Sequence, residues 1–430
     1  MAHTLAEKIL LAHAEVDDLH PGDIVMVRVD TVMANDVSGP VAFRQMEKMG
    51  ARRVFDPSRV VMVADHFVPA KDARSAALQK RLKDWALDQG VAFYDQGRGG
   101  IEHMLLAEEG WVVPGEVIVG GDSHTCTYGA LGAFGSGLGS TDIAAALANG
   151  EFWQPVPATI RVRFDGVRRD FVSGKDLILA VIAEIGVAGA TNAVLEFVGE
   201  GARALSIDER MAVANMAVEA GAETGLFVAD DVARSYLDGR VTRPWDEVHS
   251  DENAEIAREV RVDLDTLDPL VAAPHSPGNV MALADVAGTP VEQVYIGNCA
   301  NGTMTDLRQA AAVFRGRQVH ARSRAVIVPA TQAIYRQALA EGLLDTFAAA
   351  GAMVSTPTCG ACFGGGMGVP AAGENAVTTT NRNFRGRMGS PDASVYLANA
   401  YVAAAAAVTG ELSDPAELVD AASLVEAGAS

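Results

Sequence analysis

Cysteine is scarce in this chain, with four in 430 residues. So few thiols over such a length cannot build a disulfide framework, which excludes the small stapled scaffolds of secreted proteins and suits a reducing compartment where thiolates stay free for metal. Long apolar runs are missing too. No window approaches the roughly 18 apolar residues of a spanning helix, and the N-terminus M-A-H-T-L-A-E-K-I-L lacks a basic stretch followed by an apolar core. Both absences point to the cytoplasm and away from a membrane. Positive charge is also short: 34 Lys and Arg stand against 55 Asp and Glu, a net charge of -21. That balance repels phosphate backbones and anionic lipid, so neither nucleic acid nor membrane is the expected partner. It repels small polycarboxylates as well, so a site for such a ligand needs its own arginines.

Other absences narrow the reading further. The glycine-rich stretch from Gly129 to Gly139 has no lysine where a phosphate loop needs one, and its glycines do not follow the dinucleotide spacing. It reads as close backbone packing beneath a site. Neither a short-period repeat nor a low-complexity tract is present.

What is present describes an ordinary globular protein. Apolar residues make up 49% and charged residues 21%, enough for a core, and 430 residues exceed what one core supports. The expected class is α/β, with domains over 1–158, 159–272 and 273–430. Thr4 with Glu7 forms a capping box that opens a first helix. The runs I-V-M-V-R-V-D, V-V-M-V-A-D-H and V-I-V-G-G-D-S-H read as buried strands that deliver polar residues at their carboxyl ends. K-D-A-R-S-A-A-L-Q-K-R-L-K-D-W-A-L-D-Q reads as an amphipathic helix, and the alanine-rich run from Ala393 to Val408 as a buried one.

The cysteines carry the chemistry. Cys299 lies in G-N-C-A-N-G, about 60 residues before Cys359 and Cys362 in C-G-A-C; Cys126 lies in G-D-S-H-T-C-T-Y-G. Three soft ligands from two glycine-rich loops are one short of a tetrahedral structural site, but they can hold a four-iron cluster with one iron open as a Lewis acid. Zinc, with Cys126 or a histidine as fourth ligand, is the alternative that spacing leaves open. Asp65-His66, Glu102-His103 and Asp122-Ser123-His124 are three histidines beside acids, among only nine in the chain. A histidine held by a carboxylate can pass a proton at neutral pH, as loss of a hydroxyl requires; each taken singly also fits a satisfied structural histidine. Arg382 and Arg387, in N-R-N-F-R-G-R, suit bidentate carboxylate binding or surface ion pairs.

Assembled, these residues resemble the aconitase superfamily, specifically the large subunits of its 3-isopropylmalate dehydratase and homoaconitase group. V-M-A-N-D, D-H-F, G-I-E-H, G-D-S-H-T-C-T-Y-G-A-L-G, G-N-C-A-N-G, C-G-A-C-F-G-G-G-M-G and N-R-N-F-R-G-R match in order from about residue 4 to 412. The resemblance implies three α/β/α domains around one 4Fe-4S cluster per subunit, held by Cys299, Cys359 and Cys362, with one iron not ligated by protein and Cys126 outside the set. It implies that Asp65 with His66, and His103 with Glu196, are pairs handling a substrate hydroxyl, with Asp122 and His124 beside the iron-bound water. Asn192 and Asn381 correspond to cluster-facing amides. Asn35 and Ser123, with Arg382 and Arg387, correspond to substrate contacts.

Single-chain aconitases continue into a swivelling domain that this sequence lacks, so the resemblance implies a separate small subunit carrying it. The expected activity is hydro-lyase isomerisation of a 2-hydroxy di- or tricarboxylate through an unsaturated intermediate. 3-Isopropylmalate, in leucine biosynthesis, is the first expectation for substrate, and homocitrate or homoaconitate the second. An RNA-binding sensor in the apo form and an inactive zinc scaffold are the rival readings.

Overall fold

The computed structural model describes residues 2–421. Residues 422–430, which the sequence reading assigns to the third domain, lie outside the described residues. Three sheets follow one another along the chain. The first has five parallel strands in the order Ala92–Tyr94, Val60–Val63, Thr31–Asn35, Val117–Gly120, Phe134–Gly137. The second has four, also parallel: Gly225–Leu226, Ala193–Val198, Ala158–Asp165, Arg258–Asp263. The third has seven, ordered Val280–Ala282, Leu270–Ala272, Ser394–Leu397, Asn375–Thr378, Gln293–Gly297, Arg324–Val328, Met353–Val354, parallel except that Leu270–Ala272 runs antiparallel to both its neighbours.

Strand period explains how the first sheet joins the rest. Val32, Ala34, Val60, Met62, Val117 and Val119 point into one core cluster, shared with the helices Leu5–His13, Gly39–Lys48 and Ser140–Asn149. Their neighbours Met33, Val61, Val63 and Ile118 point the other way, into a core continuous with the second and third sheets. A sheet covered on both faces reads as unbroken apolar runs, which is why Val60–Val63 and Val117–Gly120 were visible in the sequence.

Some expectations need correction. I-V-M-V-R-V-D does not form a buried sheet strand. Ile24–Arg28 pairs antiparallel with Glu151–Pro155 as a two-stranded ribbon, alternately exposed and buried. The strand that leads toward polar chemistry is the next one, Thr31–Asn35, buried throughout. The run from Ala393 to Val408 is not one helix, because Asn399 accepts the Val402 N–H as an N-cap. The chain before it forms the strand Ser394–Leu397, and only Ala400–Thr409 is helical. No helix among the described residues is long and apolar enough to cross a membrane.

Candidate active site

Loops at the carboxyl ends of strands in the first and third sheets converge on one small cavity. Asp36 follows Thr31–Asn35; Asp65 and His66 follow Val60–Val63; Asp122 follows Val117–Gly120. From the third sheet, Cys299 follows Gln293–Gly297, and Asn381 and Arg382 follow Asn375–Thr378. This is where open parallel sheets place ligands.

Asp36 organises the first of these loops. Its buried carboxylate accepts the N–H groups of Asp65, His66 and Phe67 at 3.4, 3.0 and 3.0 Å. Asp65 then uses one oxygen for His66 Nδ1 at 2.7 Å and the other for the Glu102 N–H at 2.9 Å. The C-G-A-C loop is tied to the same turn, since Cys359 N donates to the Asp65 carbonyl at 3.0 Å and Gly360 N to the His66 carbonyl at 3.3 Å. Thiol and imidazole walls thus share a backbone junction, although nearly 300 residues separate them in sequence.

Asp122 is the hub of the imidazole wall. Its carboxylate lies 3.0 Å from His103 Nε2, 3.3 Å from His124 Nδ1 and 3.5 Å from His66 Nε2. Burial alone would raise its pKa, but the three imidazoles reverse the effect and hold it well below the usual carboxylate range. His66 faces carboxylates with both ring nitrogens. Burial disfavours its protonation, yet the Asp65 charge and the bonds to Asp122 and Asp65 outweigh burial and hold its pKa well above the ordinary value. His124 is raised as well: burial and the Arg382 charge oppose protonation, and the bonds to Asp122 and Glu219 overcome them. Glu102 is pushed well above the ordinary carboxyl range by burial and by the nearby Asp65 and Asp122 charges. Its Oε2 is buried without a partner.

Cys299, Cys359 and Cys362 line the opposite side of the cavity, all buried. Amides face them. Asn215 and Asn381 donate to Cys299 Sγ at 3.2 and 3.3 Å, and Asn298 to Cys362 Sγ at 3.5 Å. Three buried soft donors, two of them facing amide N–H groups, fit an iron-sulfur cluster. The loop geometry is demanding: Asn298 sits at φ 99, and a Cβ on Gly297 would lie 2.0 Å from the Val328 carbonyl oxygen. Cys126 is elsewhere. Its Sγ donates to the Asn215 carbonyl at 3.2 Å, and burial pushes its pKa up to about 12.

Asp65, His66, His103, Asp122, His124, Asn381, Arg387 and the three cysteines all line this cavity, together with Ile101 and Glu102. Arg387 Nε is buried without a partner. Arg382 borders the same site through Glu219, which accepts its Nε at 2.7 Å.

Four nominated residues are placed differently. Glu196 is not beside His103; both its oxygens accept the Ser250 hydroxyl, at 2.9 and 2.8 Å, in a separate cleft of the second sheet. Asn192 does not face the cysteines, being an exposed residue at φ 57 in the turn before Ala193–Val198. Asn35 is not among the cavity-lining residues. Its amide donates to Glu102 Oε1 at 2.9 Å, and its oxygen accepts Val37 N, Ser38 N and Ser38 Oγ. Ser123 opens the 3-10 helix Ser123–Leu131 and is not among the cavity-lining residues.

The sequence reading missed Asn215 and Glu219. Glu219, buried, accepts His124 Nε2 at 2.9 Å as well as Arg382. Asn215 bonds Cys299, Thr127 Oγ1 and Asn381. The available signal was an asparagine and a glutamate four apart inside the apolar run M-A-V-A-N-M-A-V-E-A, where an unpaired charge is not tolerated.

Comparison with known proteins gives consistent findings. A model of the aconitase family (aconitate hydratase) matches residues 7–410. The chain is 70% identical over 418 residues to 3-isopropylmalate dehydratase large subunit 2 of Rubrobacter xylanophilus, covering 97% of this chain and 99% of the relative. It is 49% identical to the 3-isopropylmalate dehydratase large subunit of Moorella thermoacetica, over 97% of this chain and 100% of that one. Among solved structures it is similar to holo-form aconitase X of Thermococcus kodakaraensis, with a TM-score of 0.50 and 13% identity over 88% of each chain.

Proposed function

The chain belongs to the aconitase family, and on that premise we propose that it is the large subunit of a 3-isopropylmalate dehydratase, a hydro-lyase of leucine biosynthesis. The observation that carries this reading is one cavity with three thiols on one wall and three carboxylate-held imidazoles on the other. Relatives named for 3-isopropylmalate, at up to 70% identity, favour that substrate over homocitrate or homoaconitate.

In this reading Cys299, Cys359 and Cys362 hold a 4Fe-4S cluster, which when bound supplies a Lewis-acid corner that polarises the substrate C–O bond. His66, protonated and held between Asp65 and Asp122, delivers a proton from Nε2 to the departing hydroxide. His103 Nε2 and His124, both on Asp122, retain the water for return to the neighbouring carbon. Glu219 holds the His124 ring and the Arg382 fork together, leaving the other guanidinium nitrogens of Arg382 and Arg387 for substrate carboxylates. These two arginines reverse, locally, the repulsion of a chain whose net charge is -21. The small subunit brings the swivelling domain, with the base that removes the carbon-bound proton.

The test is anaerobic reconstitution of the chain with its small subunit and assay of 3-isopropylmalate, homocitrate and citrate. Preferred turnover of 3-isopropylmalate is expected. Preferred turnover of homocitrate, or none of any acid by an iron-loaded complex, contradicts the reading.

A further inference from the structure

Behind the cysteines lies a cation that the chemistry above does not use. Lys175 is wholly buried in the first turn of the helix Gly174–Ile185. A solvent-free ammonium is costly, and the amino end of a helix is the wrong end for a positive charge. Its direct partners do not neutralise it: Nζ donates to the Thr380 carbonyl at 2.9 Å and contacts Met216 Sδ at 3.1 Å.

Those two partners are informative. Thr380 precedes Asn381 and Met216 follows Asn215, and these are the two amides that donate to Cys299 Sγ. Asn381 also donates to Asn215 Oδ1 at 2.8 Å, which closes a small network around that sulfur. One ammonium therefore holds the backbone carbonyl just before Asn381 and the side chain just after Asn215, the two residues that aim N–H groups at Cys299. Burial pulls the Lys175 pKa down to about 8, while the charges of Asp306, Cys299, Cys362 and Asp176 act to keep the proton on. Arg387, the arginine that lines the cavity, is only partly buried, so water screens it more than it screens Lys175.

We propose that Lys175 is a positioning residue for the cluster site whose buried positive charge sets the reduction potential of the group the three cysteines hold. The inference rests on the cluster reading above. A fixed cation beside a cluster favours the electron-richer state, and net charge with hydrogen bonds to sulfur are levers on cluster potential.

The test compares the reconstituted two-subunit complex with its Lys175→Met and Lys175→Gln variants, the first close in volume and the second keeping a donor for Thr380. Iron and sulfide content, far-UV circular dichroism, midpoint potential and the rate of bleaching in air are measured. Both variants are expected to take up the cluster, shift its potential to more negative values and bleach faster. If Lys175→Met does not fold, Lys175→Gln carries the same expectation alone. A folded variant that keeps the parental potential overturns the inference, as does one that takes up no cluster, because the lysine would then serve assembly and not tuning. A parent complex without iron and sulfide overturns the cluster reading, and this inference with it.

Discussion

Two glutamates and two cysteines separate what each does at the scale of single residues. Glu219 touches His124 and Arg382, whereas Glu196 touches Ser250 in another cleft. Glu219→Gln is expected to lower kcat on the order of a hundredfold with cluster absorbance retained, the scale of a lost proton-handling group. Glu196→Gln is expected to leave kcat near the parental value, and steady-state assays of the two variants side by side check this. Cys359→Ser is expected to abolish both cluster absorbance and turnover, while Cys126→Ala keeps the absorbance. Retained activity in the Cys359 variant would remove that residue from the ligand set. The cavity's cysteines and histidines were legible because their spacing and acidic neighbours are local signals. Glu219 was not, because it meets His124 across 95 residues, and a contact between distant loops leaves no local period.

Elements show the same division between local and tertiary information. Apolar runs revealed Val60–Val63 and Val117–Gly120, and the capping box of Thr4 with Glu7 revealed the first helix start. The strand Phe134–Gly137 escaped notice because its glycines mimic a loop. A Cβ on Gly135 would lie 2.2 Å from the Thr125 carbonyl oxygen, so the glycine serves close approach of the Asp122 loop. Gly135→Ala is expected to lower stability by about 1–3 kcal/mol, measured by urea unfolding of the apo chain. The helix Leu5–His13 is fastened to the first sheet by His13, whose Nε2 meets Asp30 at 2.7 Å while Nδ1 faces the Ile9 carbonyl. Burial opposes protonation of His13, but those two bonds prevail and its pKa is raised. A raised imidazole pKa stabilises fully below the unfolded value near 6.5 and loses that contribution as pH climbs through the folded value. The gap in urea midpoint between the parent and His13→Gln should therefore narrow from about pH 5.5 to about pH 8.5. A gap that widens over that interval contradicts the assignment.

For the whole molecule, the arrangement that matters is two sheets presenting their carboxyl ends to one cavity. The first brings proton-carrying side chains and the third brings sulfur, joined where Cys359 N meets the Asp65 carbonyl. In the proposed function this half-site lacks the base that removes the carbon-bound proton, so the chain alone is expected to bind the cluster with turnover at background until the small subunit is added. Titration of small subunit into reconstituted chain, followed by rate, checks this. The central claim is a cluster with fewer protein sulfurs than irons, and its most direct measurement is Mössbauer spectroscopy of the iron-57 complex before and after addition of 3-isopropylmalate. The account predicts one iron subsite whose parameters change on adding substrate while the others stay fixed. A complex without iron, or one in which every iron is indifferent to substrate, would contradict it.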